Sequence, residues 1–395
     1  MSEWKEIEFS KMLIDESISY GIVQPGAHTE INSVPIIRVN NIKNGYIKTD
    51  DVLKVDASIE EKYKRTRLSG GELLITVVGS IGECAIVPVN LKGWNVARAV
   101  SVAKIKNDFD TRFIKYAFKT DGIIFQMYGN TNDTVQPTLN LSSLKALKFQ
   151  IPPFPEQTAI ATILSILDDK IDLLHRQNAT LEKMAETLFR QWFVEEAKEE
   201  WEMGKVSDFS LHFNASMRPQ QHQSTKYFHY SIPSYDNGKN PIMELGKEIQ
   251  SNKYIVPKNC ILFSKLNPHK NKRVWLLQDE VETNAICSTE FQIVLPKIKK
   301  QLYFIYCWLT FNENYSEIAS GIGGTSGSHQ RIDPKTIFDF RCPLVSEGVI
   351  DNFNLKIEPL FRKQVNNKTQ IRTLTALRDI LLPKLMSGEV RLNTI

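Results

Sequence analysis

The feature that most constrains the fold of this chain is a long seam of apolar residues beginning at Ile160. The spacing between successive members alternates between four and three residues, and only Asn178 interrupts it. The members are Ile160, Leu164, Leu167, Ile171, Leu174, Leu181, Ala185, Leu188 and Trp192. This spacing, sustained over several heptads, predicts a helix that packs along another helix. About 40 residues at 1.5 Å each would form a rod of roughly 60 Å.

A second seam near the end of the chain offers a partner for this helix. Its apolar members are Phe353, Ile357, Leu360, Ile371, Leu374 and Leu381, with Gln364 and Asn367 between them. Pro383 and Gly388 predict where this second helix stops. We interpret the two seams as packing on each other, and the alternative is that each helix packs only on its own domain.

The two halves of the chain repeat each other at a constant offset. Phe113-Ile114, Phe149 and Glu156 match Phe304-Ile305, Phe340 and Glu347 at an offset of 191 residues. Each copy contains short strands and turns, such as the Asn44-Gly45 turn signal, then a helix, a proline-containing junction and a long helix. Chance similarity of apolar patterns is the alternative, but one offset shared by several segments favours a duplicated unit.

Composition narrows the class of protein only a little. The chain is 42% hydrophobic and 24% charged, with a net charge of +4. The segment 151–200 is acidic and the remainder basic, which suits a polyanionic partner but is also common among metabolic enzymes. No apolar run approaches the ~18 residues that span a bilayer. The charged start of the chain and five scattered cysteines favour a cytoplasmic protein that neither enters a membrane nor forms disulfides.

Several patterns suggest chemistry, but none forms a complete site. The stretch "IPPF" (151–154) resembles the target-base loop of DNA methyltransferases, yet Ile151 lacks the polar atom that accepts a hydrogen bond from an exocyclic amine. The Gly-rich stretch "SGIGGTSG" (320–327) follows a helix or loop rather than a strand, and no nucleotide-binding P-loop occurs. The charged run around Glu60 is interpreted as solvated, and Cys84 as a core residue. We therefore predict no catalytic residue and no metal ligand.

Two long segments and three shorter ones resemble a known family. The long ones are "IPPFPEQTAIATILSILDDKIDLLHRQNATLEKMAETLFRQWF" (151–193) and "TQIRTLTALRDILLPKLMSGEVRL" (369–392). They are similar to the central and C-terminal helical regions of specificity subunits of type I restriction-modification systems. Residues 227–242, 264–275 and 287–294 resemble one of that family's target-recognition domain types. The resemblance covers essentially the whole chain, although "VSEGVIDNF" (345–353) matches the start of the second helical region only loosely.

The resemblance implies an α+β fold. Two pseudo-two-fold-related mixed α/β target-recognition domains, 1–150 and 201–345, would be separated by an antiparallel coiled coil of two long helices. These helices would occupy the conserved regions 151–200 and 346–395. If each domain binds one half of a DNA target and the two halves lie about one turn apart, ~34 Å, the domains have to be held at a fixed separation. A long helical rod can provide this separation.

The resemblance also implies a function without catalysis by this chain. Each domain would recognise one half of a bipartite, asymmetric double-stranded DNA target. Two methyltransferase subunits would dock on the helices and bind S-adenosylmethionine, so this chain would bind no cofactor, and restriction (motor) subunits would join the complex. The predicted docking residues are Leu164, Leu167, Ile171, Leu174, Asn178, Leu181, Leu188, Trp192, Leu360, Leu374 and Leu381.

Polar and basic residues in loops are the candidates for DNA contact, since Arg and Lys suit guanine and phosphates while Asn and Gln suit adenine. In the first domain they are Arg38, Asn40, Asn41, Lys64, Arg65, Arg67, Ser80, Arg98, Asn130, Asn132, Thr134 and Gln136. In the second they are Lys265, Asn267, His269, Lys270, Lys272, Arg273, Ser326, Ser328, His329, Gln330 and Arg331. The loops "GNTNDTVQP" (129–137) and "GGTSGSHQR" (323–331) occupy equivalent positions in the two copies.

Two other functions stay open at this point. The chain could be a self-contained DNA methyltransferase or nuclease with degenerate motifs, in which case the purified chain would modify DNA alone. It could also be a coiled-coil scaffold with no role in DNA binding, in which case no sequence-dependent binding would be found.

Overall fold

The computed structural model describes residues 4–129, 137–279, 281–323 and 330–392. The chain divides into two compact units. Unit 1 comprises Met1–Leu174 and Thr369–Ile395, and unit 2 comprises His175–Lys368. Both boundaries fall inside long helices. The structure mixes helix and sheet, which confirms the predicted α+β class.

Unit 1 is built around two small sheets. Its strands are β1 Lys5–Glu8, β2 Leu13–Tyr20, β3 Ser33–Ile37, β4 Ile42–Lys43, β5 Tyr46–Ile47, β6 Leu53–Asp56, β7 Leu73–Thr76, β8 Cys84–Ile86, β9 Asn95–Val96, β10 Val100–Ile105 and β11 Lys148–Ile151. Its helices are α1 Phe9–Met12, α2 Ala57–Glu60, α3 Thr111–Ala117, α4 Asp121–Gly129, α5 Leu141–Lys145 and α6 Phe154–Arg190, of which α6 continues into unit 2. The sheets have the orders β2-β10-β7-β8 and β6-β3-β9, and β4-β5 and β1-β11 form separate pairs.

Unit 2 has a closely related set of elements. Its strands are β12 Met203–Lys205, β13 Ser210–Phe213, β14 Ser216–Met217, β15 Lys226–Tyr230, β16 Ile242–Leu245, β17 Lys253–Ile255, β18 Cys260–Ser264, β19 Val274–Leu277, β20 Ala285–Ser288, β21 Phe291–Pro296, β22 Ile322–Gly323, β23 Arg331–Ile332 and β24 Arg341–Pro343. Its helices are α7 Val206–Phe209, α8 Ile232–Asp236, α9 Leu302–Thr310, α10 Asn312–Ser320, α11 Pro334–Phe338 and α12 Glu347–Met386, of which α12 continues into unit 1. The sheets have the orders β13-β21-β18-β19 and β14-β17-β20-β15-β16.

The internal topology of the two units confirms the predicted repeat. The sheet β2-β10-β7-β8 of unit 1 corresponds strand for strand to β13-β21-β18-β19 of unit 2. Strand β10 begins at Val100 and β21 at Phe291, an offset of 191 residues. Helices α4 and α10 begin at Asp121 and Asn312, which is the same offset. The parallel pair β3/β9 in unit 1 corresponds to the parallel pair β15/β20 in unit 2.

In each unit, the first and last strands form a two-stranded antiparallel ladder. In unit 1, Lys5 of β1 lies opposite Ile151 of β11. In unit 2, Met203 of β12 lies opposite Pro343 of β24. Each long helix starts a few residues after the second strand of its ladder.

Aromatic side chains fill the core of each unit beside the long helices. In unit 1, Phe118 lies 5.1 Å from Phe149 and 5.3 Å from Phe9, measured between ring centroids. In unit 2, Phe193 lies 4.9 Å from Phe304 and 5.0 Å from Phe353. The three side chains of unit 2 are buried, as are those of unit 1. Helix α6 contributes to both cores, which anchors it in each unit.

The two long helices contact each other, as predicted. Helix α6 has 37 residues and α12 has 40. Within unit 2, the Asn367 amide nitrogen donates to Asn178 Oδ1 at 3.0 Å, and the ring centroids of Phe189 and Phe353 lie 6.4 Å apart. Residue numbers rise along one helix as they fall along the other, so the pair is antiparallel in this unit.

Helix α12 ends at Met386, between Pro383 and Gly388, whose φ is +73°, so the predicted stop is confirmed. One expectation about an individual residue is wrong. Glu60 is 1% exposed rather than solvated, and it binds Arg67 and Asn95. Asp168, which no sequence pattern singled out, is also buried. None of the helices in the described parts of the chain combines the length and apolarity that crossing a membrane requires.

Candidate nucleic-acid interface

A cleft of about 750 Å³ opens on the surface of unit 1. Its polar lining comprises Arg38, Asn40, Lys43, Asn44, Ser80 and Glu83. Three of these, Arg38, Asn40 and Ser80, were predicted as DNA-contacting residues. Ala97 and Ala99 also line the cleft, on either side of the exposed Arg98. The fold thus brings three separate loops together at one place.

Tight turns position the cleft side chains. Arg38 follows β3 in an extended conformation, and Val39–Asn41 then form a 3-10 turn. The predicted Asn44-Gly45 turn joins β4 to β5, with φ values of +56° and +86°, which Asn and Gly tolerate better than other residues. Ser80 lies in the turn between β7 and β8. Short turns on a sheet hold side chains more firmly than long loops do.

Hydrogen bonds orient Arg38 at the edge of the cleft. Its Nη2 donates to the carbonyl oxygen and to Oδ2 of Asp51, both at 3.2 Å. Its Nε is buried and has no hydrogen-bond partner among the described residues. Asp51 therefore holds Arg38 at the cleft, and the unpaired Nε is shielded from the surface.

Asn41 has a structural role that removes it from the predicted interface. Its Oδ1 accepts from the Arg38 backbone N–H at 2.9 Å, and its Nδ2 donates to the Asp51 carbonyl oxygen at 2.9 Å. The side chain is 3% exposed. Asn41 thus shapes the turn that presents Arg38 and Asn40, and it has no free edge for a base.

The chemistry of the cleft matches the edges of base pairs. Arginine and lysine donate to guanine, asparagine amides pair with adenine, and a carboxylate such as that of Glu83 accepts from the cytosine amine. Hydroxyl groups such as that of Ser80 can donate or accept a hydrogen bond.

The other basic candidates of unit 1 fall into two groups. Arg65 and Arg98 are exposed. Lys64 forms an ion pair with Glu61, and Arg67 binds Glu60 through Nε at 2.9 Å and Glu61 through Nη2 at 2.9 Å. The donors of Arg67 are thus engaged by two carboxylates, and its contact with DNA stays a prediction. Asn130, Asn132, Thr134 and Gln136 lie outside the described residues.

In unit 2, ion pairs engage two of the predicted arginines. Arg273 is 8% exposed and binds Asp236 through two hydrogen bonds of 2.8 Å. Arg331 binds Glu290 in the same manner, at 2.9 and 2.8 Å. Arg273 is therefore buried within the unit, whereas the Arg331 side chain is half exposed, and its contact with DNA stays a prediction.

The remaining predicted residues of unit 2 differ in how the fold uses them. Lys272 donates to the Thr310 carbonyl oxygen and to Asn312 Oδ1. Asn267 and Gln330 bond to each other, through the Asn267 Oδ1 at 3.0 Å and through their backbones. His269 and Lys270 are exposed and Lys265 is partly exposed. Ser326, Ser328 and His329 lie outside the described residues.

The predicted docking residues face inward. Leu164 and Leu174 are buried, whereas the others are partly buried: Leu167, Ile171, Asn178, Leu181, Leu188, Trp192, Leu360, Leu374 and Leu381. Other apolar side chains of the long helices are exposed instead. They are Ile166, Leu173, Leu377 and Ile380 in unit 1, and Met184 and Leu355 in unit 2. The docking role of the seam residues stays a prediction, and the exposed apolar residues are further candidates for it.

Sequence reasoning missed Lys43, Asn44 and Glu83 in the cleft. Asn44 was noticed only as a turn residue, and its turn also brings Lys43 to the cleft. Burial raises the pKa of the Cys84 thiol above its ordinary range, so the thiol stays protonated. Among the described residues, no group of three or more His, Cys, Asp or Glu side chains is arranged to hold a metal ion.

Comparison with known proteins shows which proteins this chain is similar to. Residues 22–183 match the family model of the type I restriction modification DNA specificity domain, and this segment contains the whole cleft. The resemblance predicted from the sequence is therefore confirmed. The chain is thus similar to the specificity subunits of type I restriction-modification systems.

Individual relatives extend the likeness over most of the chain. The type I restriction enzyme MjaIX specificity subunit of Methanocaldococcus jannaschii is 27% identical, over 82% of this chain and 79% of its own length. The EcoBI specificity subunit of Escherichia coli is 25% identical, over 50% of this chain and 43% of its own length. The crystal structure of the type I S subunit from M. genitalium has the same fold, with a TM-score of 0.61 at 15% identity, covering 97% of this chain and 96% of that chain.

Proposed function

We propose that this chain recognises a bipartite, asymmetric DNA sequence and directs the catalytic subunits of a type I restriction-modification complex to it. The observation that carries the proposal is the cleft of unit 1, which gathers donors and acceptors suited to base edges inside the segment that matches the DNA specificity domain. Arg38, Asn40 and Lys43 are the side chains we assign to the first half-site, with Arg98 on the phosphates beside it.

The duplicated topology supports the bipartite target. Two units with the same strand order offer two recognition surfaces, and their different loop residues suit two different half-sites. We further propose that the long helices set the distance between the half-sites. A helix of 37 residues extends about 55 Å, which is sufficient for half-sites one or more turns apart.

The catalytic steps belong to other subunits in this proposal. Two methyltransferase subunits would bind S-adenosylmethionine and methylate adenine, and restriction subunits would supply motor and nuclease activity. The exposed apolar residues of the long helices, such as Ile166 and Ile380, are the surface we assign to methyltransferase docking.

Base-resolution mapping of adenine methylation tests the proposal. Cells would express this chain together with its methyltransferase subunit, and the expected result is one bipartite motif that disappears when this chain is omitted. Asn40→Ala should relax one position of the first half-site, by roughly 1–3 kcal/mol of discrimination, and leave the second half-site unchanged. Asn107→Ala, at an exposed asparagine of unit 1 outside the cleft, is the matched control.

Two other outcomes would favour the rival functions. Methylation of DNA by the purified chain with S-adenosylmethionine alone would show a self-contained enzyme. A methylation motif that is identical with and without this chain would show that the chain has no recognition role, as expected for a scaffold.

A further inference from the structure

Unit 2 contains a polar groove that no sequence prediction placed at a binding surface. It has a volume of about 630 Å³ and lies between the 3-10 helix Pro219–His222 and the segment from Lys247 to Asn252. Its lining includes five side-chain amides, those of Gln220, Gln221, Gln223, Gln250 and Asn252. All five residues are exposed.

The frame of this groove is fixed by close backbone packing. The Gly246 N–H donates to the Thr225 carbonyl oxygen at 2.9 Å, and the Lys247 N–H to that of Gln223 at 3.2 Å. A Cβ atom on Gly246 would overlap the carbonyl oxygens of Pro219 and His222, so a glycine is needed for this approach. The groove is therefore preorganised, which reduces the entropy lost on binding.

The charge of the groove suits a polyanion. Arg218 and Lys247 line it, and its described lining contains no carboxylate. Beneath it, the buried Lys253 Nζ donates to Ser251 Oγ at 2.5 Å, which fixes the turn that carries Gln250 and Asn252. Two exposed cations therefore flank a row of neutral amides.

This combination matches the major-groove edge of DNA. A Gln or Asn amide pairs with adenine N6 and N7, arginine pairs with guanine, and lysine neutralises phosphate. Gln220 and Gln250 already bond to each other at 3.0 Å, which orients both amides. Gln221, Gln223 and Asn252 are exposed at the same groove and supply further amide edges.

The loops that the sequence predicted for this role are less suitable. The guanidinium groups of Arg273 and Arg331 are held by Asp236 and Glu290, and Lys272 is held by Thr310 and Asn312. Resting on the proposed function, we infer that the groove between Arg218 and Asn252 is where unit 2 contacts adenine-containing base pairs of its DNA half-site.

Methylation mapping with the complete methyltransferase complex tests this inference. The Gln221→Ala/Gln223→Ala double variant should relax one or more A·T positions of the second half-site, by roughly 5- to 150-fold in discrimination, and leave the first half-site intact. Lys247→Ala should weaken binding of the complex to all DNA sequences. It should also reduce the slope of log K against the logarithm of the salt concentration by about one. Circular dichroism and thermal unfolding would verify that the variants are folded.

A competing pair of substitutions makes the test decisive. His269→Ala/Lys270→Ala alters two exposed residues of the sequence-predicted loop in the same unit. If the second half-site changes with this pair and not with the glutamine pair, the groove assignment is overturned while the proposed function stands. If the wild-type complex yields no motif that depends on this chain, the proposed function fails and the groove assignment with it.

Discussion

In unit 1, Arg378 of helix α12 donates from Nη1 to Oδ1 of Asp168 on helix α6 at 3.0 Å. Asp168 is 4% exposed, and its second oxygen accepts from the Tyr116 hydroxyl at 2.8 Å. The pair joins both long helices to helix α3 by charge-assisted hydrogen bonds, which are more directional than the apolar contacts around them.

Removal of Arg378 should therefore destabilise unit 1. We expect Arg378→Leu to lower the free energy of unfolding by about 3 kcal/mol, because the buried Asp168 carboxylate loses its cation. Urea unfolding monitored by circular dichroism measures this change. Lys363→Leu, at an exposed position of the same helix, is the control, and an equal effect of both substitutions would contradict the role of the pair.

The Glu60–Arg67 pair predicts a dependence of stability on acid. Hydrogen bonding from Arg67 holds the pKa of Glu60 below its ordinary value of 4.5. The Glu60 carboxylate therefore binds a proton less readily in the folded state than in the unfolded state. The stabilisation that the pair gives to the folded state is present above about pH 4.5 and is lost as the pH falls below it. Glu60→Gln should cost about 1 kcal/mol near neutral pH, since Arg67 is partly exposed, and much less near pH 3.

Urea titrations between about pH 6 and pH 3 would test this dependence. Glu199→Gln, at an exposed carboxylate, should leave the pH profile of the wild-type protein unchanged. If the free energy of unfolding of Glu60→Gln changed with pH in parallel with that of the wild-type protein, the pair would make no pH-dependent contribution to stability.

The exposed apolar residues of the long helices predict where the methyltransferase subunit docks. Ile166 is 61% exposed and Ile380 is 59% exposed, both in unit 1. A glutamate at either position should weaken association with the methyltransferase subunit at least about tenfold, since a desolvated charge is costly at an interface. Stability should change by less than about 0.5 kcal/mol, because both positions lie on the surface.

Calorimetric titration of the variants with purified methyltransferase subunit would measure this loss. Ile31→Glu is the matched control, because Ile31 is 83% exposed in the same unit but lies outside the long helices. Equal binding by all three variants would place docking elsewhere.

The proposed spacing role of the helices predicts the effect of a paired deletion. Removing seven residues from each long helix, 169–175 and 370–376, shortens the rod by about 10 Å, or roughly three base pairs. The methylation motif should then have a shorter gap, or methylation should be lost, while both half-sites keep their sequence. A changed half-site sequence with an unchanged gap would refute the spacing role. Single-helix deletions should abolish activity, because they break the pairing.

Patterns local in sequence predicted much of this fold. The offset of 191 residues holds for strands and helices because the turn residues and apolar spacing that specify each element lie within the repeated segment itself. The Asn44-Gly45 turn formed as expected, since two residues with positive φ suffice to specify it. The seam of helix α6 was visible because its apolar residues lie three or four positions apart.

Features that depend on distant partners were missed. Arg273 and Arg331 were expected at a DNA surface, but their carboxylate partners, Asp236 and Glu290, lie 37 and 41 residues away in sequence. Asp168 was not expected in the seam for the same reason, because Tyr116 and Arg378 come from elements far from it. The groove of unit 2 needs the packing of Gly246 against Pro219 and His222, which no local pattern indicates.

The ladder between the first and last strands of each unit has a consequence for how the sequence of such a chain can change. Because Lys5 lies opposite Ile151, and Met203 opposite Pro343, the first and last strands of each unit are neighbours about 5 Å apart. Everything between them behaves as a cassette with adjacent ends. An exchange of one cassette would therefore leave the chain ends in place, provided that the new cassette matches those two strands and the side chains of the long helices that pack into its core.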